Sequence, residues 1–139
     1  MQTQLFFDLT AKAHQIMVHF CEPEELVKVH SVLLEKGVAL FEIDGGAIST
    51  QEDLFKAFAI ALKKPAGWYG DEEYAPNANA FHEYLGDVHE WVPAQGHVAV
   101  VHGAEKLWKL NPRLAGELVE WWLFATGPRG SDIHLVFVW

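Results

Sequence analysis

The sequence predicts an α/β domain built on a small parallel sheet of three or four strands flanked by helices. Three observations carry that prediction. Short, nearly continuous apolar runs rich in β-branched residues recur along the chain, as strands buried on both faces require. Segments with helical spacing separate them, so the strands must be joined by crossovers and run parallel. Half of the 139 residues are apolar or aromatic, enough for one core without disulfide or metal staples.

The elements follow in order. "MVHF" (17–20) has weak strand character, and "PEELVKVHSVLLEKG" reads as a helix, with Pro23 in its first turn, early acids and Gly37 as its stop. "VALFEI" (38–43) is a strand closed by the Asp44-Gly45-Gly46 turn. The next helix has the strongest signals: Ser49 three residues before Glu52 forms a capping box, and Leu54, Phe55, Phe58, Ala59 and Leu62 recur at helical spacing until Pro65. "HVAVVH" (97–102) is a third strand. Asn111-Pro112 opens a helix with Leu114, Ala115, Leu118, Val119, Trp122 and Ala125 on one side and Gly127-Pro128 at its end, and "IHLVFV" (133–138) is the last strand.

Charge narrows the function. Nineteen acids against ten Lys and Arg give a formal charge of −9, which opposes binding to nucleic acid or an anionic membrane and favours a cationic partner. No apolar run approaches the roughly 20 residues a membrane span needs. Cys21 is the single cysteine, and the start does not read as a secretory signal, so a cytoplasmic protein is expected. Between Lys64 and Lys106 the only basic side chains are histidines, yet Asp71, Glu72, Glu73, Glu83, Asp87, Glu90 and Glu105 fall there. A solvated acidic face is the plain explanation of such a run.

Within that region, Phe81, Tyr84, Leu85, Val88, Trp91 and Val92 share one stripe of a helix starting near Asn77. Asn79, Glu83, Asp87 and Glu90 then lie on the opposite side, with His82 and Gly86 nearby. Upstream, Trp68, Tyr69 and Tyr74 sit in a loop punctuated by Gly70 and Pro76, and aromatic rings beside charge suit a protein interface.

Catalytic signals are sparse. "FHEYLG" starts like the His-Glu-x-x-His zinc motif, but Gly86 takes the place of the second histidine. His82 and His89, seven apart, share a face with Glu83 and Glu90, which supports a second reading as a metal-dependent or acid/base hydrolase using His82, Glu83 and His89. His97, His102 and His134 fall in or beside strands, where core or edge roles are ordinary. There is no Gly-x-Gly-x-x-Gly, phosphate loop or Gly-x-Ser-x-Gly elbow, and nothing near Cys21 marks it as a reactive thiolate. No cofactor and no metal is expected on the first reading.

Taken together, "EIDGGAISTQEDLFKAFAIALKKPAGWYG", "NANAFHEYLGDV" and "GSDIHLVFV" make the chain resemble the barstar family, small cytoplasmic inhibitors of barnase-type ribonucleases. The resemblance lies in the order of parts: a strand with its Asp-Gly turn, a capped helix, a Pro then aromatic-Tyr-Gly loop, an Asn-led helix and a Gly-x-Asp-Ile strand. It spans roughly residues 38–139 and implies a small parallel sheet flanked by helices. It also implies an acidic helix and its preceding loop placed in the basic active site of a nuclease. By position, Tyr69 and Gly70 match the loop, Asn77 the start of the inhibitory helix, and Glu83 the principal inhibitory acid. Asn79 stands where another acid is usual, His82 where a tryptophan is common, and the aligned stretch "WLFAT" lacks a late acidic contact.

The expectation is therefore a non-enzymatic immunity protein that binds a basic ribonuclease or related toxin through Glu83, Asp87, Asn79, Tyr69 and Glu90, with Gly70, Trp68, Asn77 and His82 beside them. Residues 1–37 form an N-terminal extension, an added strand and helix, and residues 38–139 the barstar-like domain. A third reading is an interaction module that self-associates through the extension.

Overall fold

The computed structural model describes residues 18–65, 77–126 and 133–139. Its four strands are β1 (Val18–Cys21), β2 (Val38–Asp44), β3 (Gly96–His102) and β4 (Ile133–Val138). They form one sheet in the order β1-β4-β3-β2 with every pairing parallel, so the α/β prediction holds. Five α-helices lie among the described residues: α1 (Pro23–Glu35), α2 (Gln51–Ala61), α3 (Ala78–Trp91), α4 (Ala104–Leu110) and α5 (Pro112–Thr126).

Strand alternation sorts the side chains into two cores. Phe41, Ile43, Ala99, Val101, Ile133, Leu135 and Phe137 face α2 to α5, whereas Val38, Val98, Val100, Val136 and Val138 face α1 through Leu26 and Leu33. Both faces of the central strands are covered, so β3 and β4 are buried at nearly every position. β1 pairs with β4 at the sheet edge, and the Trp139 amide donates to the Cys21 carbonyl at 2.9 Å, prolonging that pairing.

The helix ends show why the elements begin where they do. Pro23 is at the first turn of α1, and Gly37, with φ +76°, ends the connection to β2 in the left-handed region. The α2 cap differs from the expectation by one residue. Thr50, not Ser49, is the cap: its hydroxyl accepts from the Asp53 amide at 3.1 Å and the Asp53 carboxylate accepts from the Thr50 amide at 3.2 Å. Glu52 instead meets Lys56 at 3.1 Å across one turn. The same Asp53 carboxylate also takes the Ser49 amide, so Ser49 contributes backbone rather than side chain.

α4 was not anticipated. It starts from Gly103, whose φ of +62° turns the chain straight out of β3, and buries Ala104 and Leu107. Asn111 links it to α5, accepting from the Leu114 amide and donating to the Ser49 carbonyl at 3.1 Å. On α5, Leu114, Ala115, Leu118 and Trp122 are buried as predicted and Val119 is half-buried; the side chain of Ala125 lies outside the described set. The Trp122 indole donates to the Ile133 carbonyl at 3.0 Å, tying α5 to the start of β4.

Candidate functional site

The site is built on α3. Asn77 caps it, its side chain accepting from the Ala80 amide at 2.9 Å. One face of the helix is locked into the core: Phe81, Leu85 and Val88 are fully buried. The Phe81 ring packs against Phe55 at 5.3 Å, edge-on to Phe58 at 5.6 Å, and against Trp121 at 6.1 Å. At the far end Trp91, half-buried, donates its indole N–H to the Leu62 carbonyl at 2.9 Å. Val92 is half-buried as the C-terminal cap, and the Tyr84 side chain is outside the described set. Gly86 does not end the helix, which runs through it to Trp91.

The opposite face is polar. Asn79, Glu83 and Glu90 are exposed, as the periodicity predicted, and so is His89. Glu83 and Glu90 are seven residues apart, so they stand about 10 Å from each other along the helix axis on nearly the same line. Asp87, one turn from Glu83, is half-buried and makes contacts of its own within the chain, so the two glutamates are the exposed carboxylates of the set. Ion pairs among the described residues lie on α2 (Glu52–Lys56), α4 (Glu105–Lys109), α5 (Arg113–Glu117) and between β2 and β3 (Glu42–His102); neither Glu83 nor Glu90 takes part in them.

His82 points the other way. Its ring lies 4.8 Å from that of Phe124 on α5, and its Nε2 is buried without a hydrogen-bond partner. Burial lowers its pKa, so it is neutral at neutral pH and supplies no cation to Glu83 beside it. The structure thus brings Asn77, Asn79, His82, Glu83, Asp87 and Glu90 onto one helix. Trp68, Tyr69 and Gly70 lie outside the described residues.

The strand histidines have structural partners. His97 is buried with its Nε2 2.6 Å from the Val92 carbonyl oxygen, His102 meets Glu42 at 3.2 Å, and His134 is hydrogen-bonded to His19 at 2.8 Å. Among the described residues, no group of three or more His, Cys, Asp or Glu side chains converges where a metal ion could be held. The buried Cys21 thiol is pushed up to about 11 by burial and then by Glu25 and Glu22, which makes it a poor nucleophile at neutral pH.

The sequence reading missed two exposed residues of α5, Leu123 and Phe124, the second of which packs against His82. A helical wheel contains the signal, because both fall off the stripe of Leu114, Ala115, Leu118 and Trp122 that enters the core. No described helix is long and apolar enough to cross a membrane.

A family model described as Barstar (barnase inhibitor) matches residues 38–137. The match takes in β2, β3, all five helices but α1, and β4 up to Phe137, leaving β1 and α1 outside. Comparison with curated proteins gave no match.

Proposed function

The chain belongs to the barstar family, an inhibitor family with ribonuclease targets, and on that premise we propose that it blocks a basic, barnase-type ribonuclease or related toxin by seating the outer face of α3 in the nuclease active site. The observation that carries this reading is the exposed Glu83 on a helix whose inner face is fixed by Phe81, Leu85 and Val88. The backbone under this carboxylate is already fixed, so binding orders the Glu83 side chain but not the helix that carries it.

In this reading Glu83 takes the place of a substrate phosphate among the Arg, Lys and His side chains of the nuclease, with charge-assisted hydrogen bonds from both sides. Glu90, two turns along, extends the negative line, and Asp87 adds its field from the half-buried position between them. Asn79 offers a neutral polar contact one turn earlier. The loop with Trp68, Tyr69 and Gly70 precedes the helix and supplies an aromatic rim. The formal charge of −9 speeds encounter with a cationic target and fixes its orientation.

The protein performs no chemistry in this scheme: it occupies an active site rather than possessing one. No metal or cofactor is required, and cytoplasmic residence places it where it shields the cell from the nuclease. Residues 1–37 are an addition to the inhibitory unit.

The test is an RNA-cleavage assay with small basic ribonucleases of the barnase type. Stoichiometric wild-type protein should suppress cleavage, and Glu83→Lys should lose inhibition by roughly 30-fold or more, the scale for removing one partner of a desolvated charge pair, while melting at the wild-type temperature. Full inhibition by a folded Glu83→Lys protein would reject this face as the inhibitory surface.

A further inference from the structure

We propose that Leu123 and Phe124 at the end of α5 form an apolar anchor for the same ribonuclease, which must therefore carry an aliphatic or aromatic side chain beside its cationic site. This inference rests on the inhibitory reading of α3.

Isolated exposed hydrophobics are normal on protein surfaces, so exposure alone decides nothing. Here two neighbours are exposed together, Leu123 by 42% and Phe124 by 67%. Their position is specific. The Phe124 ring lies 4.8 Å from that of His82, the residue preceding Glu83, so the apolar patch meets α3 at the position next to the proposed inhibitory carboxylate. Trp121, one turn back on α5, is packed against Phe81 of α3 at 6.1 Å, which holds the two helices in register.

The chemistry of the neighbours supports a dry contact. His82 keeps its Nε2 buried without a partner and burial lowers its pKa, so this ring adds no positive charge beside Phe124. An apolar side chain of the nuclease laid on Phe124 would remove both from water and add apolar burial to the charge contacts made by Glu83. A basic partner fits this patch better than a second copy of the chain does. Two copies joined here would each bring a formal charge of −9 to the contact, which a basic partner offsets instead.

The experiment is calorimetric titration of barnase-type ribonucleases with wild type, Phe124→Ala, Leu123→Ser and Glu83→Gln at low and high salt. Phe124→Ala should weaken binding about tenfold or more without changing the salt dependence, because the lost contact is apolar. Leu123→Ser should follow it more weakly, which guards against a local packing defect at His82 as the explanation. Glu83→Gln should weaken binding and flatten the salt dependence. Wild-type affinity in both α5 variants, with Glu83→Gln impaired, would overturn the anchor and leave the inhibitory reading intact. Loss of neither interaction, or no ribonuclease bound by wild type, would overturn both. A wild-type dimer in sedimentation that dissociates on Phe124→Ala would also overturn the anchor, making the patch a self-interface.

Discussion

Acid should loosen the attachment of β1 through a histidine pair that no other part of the fold duplicates among the described residues. His19 on β1 and His134 on β4 are 3% and 2% exposed, and Nε2 of the first lies 2.8 Å from Nδ1 of the second. A hydrogen bond between two imidazoles needs one N–H and one lone pair, so protonating both rings destroys it. Burial, and secondarily His134, lower the His19 pKa from 6.5 to about 4. The folded-state value lies below the unfolded one, so the unfolded chain binds the proton more readily between them. The contribution to stability is therefore complete above about pH 6.5 and is lost as pH falls towards about 4. At about 1.4 kcal/mol per pKa unit the whole window is worth about 3 kcal/mol, and the portion between pH 7 and pH 5 about 2 kcal/mol. Urea unfolding of wild type and His19→Leu at those two pH values separates this from carboxylate titration, which both proteins share. Wild type should lose about 2 kcal/mol more than the variant on acidification. Equal losses would refute the assignment of acid sensitivity to this pair.

Two further perturbations test the local physics. Thr50→Ala should lower stability by about 1 kcal/mol in urea unfolding, whereas Ser49→Ala should be nearly silent; the reverse order would contradict the cap observed on α2. Gly45→Ala should cost about 1–3 kcal/mol, because a Cβ there would come within 2.8 Å of both the His102 carbonyl oxygen and the Val101 side chain. An unchanged urea midpoint would mean that the turn after β2 yields more easily than this geometry implies.

Strands were legible where burial on both faces left a run of apolar residues, as in Gly96–His102 and Ile133–Val138, and at the edge strand Val38–Asp44 from its apolar stretch before the turn. The α2 cap was ambiguous by one residue because "STQED" satisfies the capping pattern twice, at Ser49/Glu52 and Thr50/Asp53. The choice belongs to the backbone, which is extended at Thr50 and helical from Gln51. α4 escaped notice because seven residues give barely two turns of periodicity, and its start is a left-handed Gly103 rather than a capping side chain. The His19–His134 pair joins positions 115 apart, a relation that only the sheet order creates. At the candidate site, helical spacing placed Asn79, Glu83 and Glu90 in solvent correctly, while the half-burial of Asp87 depends on neighbours that spacing cannot supply. Leu123 and Phe124 were overlooked because apolar residues are assigned inward by default, yet the α5 core stripe was already filled by Leu118 and Trp122.

Inhibition by this protein requires the exposed carboxylates of α3 to meet cations on a nuclease. The most direct measurement is the association rate of wild type and the Glu83→Gln/Glu90→Gln double variant with a barnase-type ribonuclease, followed by stopped-flow fluorescence across a range of ionic strength. Wild type should associate fast at low salt and slow steeply as salt rises, and the double variant should show a slower rate with a shallower dependence. Identical rates and identical salt dependence in the two proteins would contradict the account.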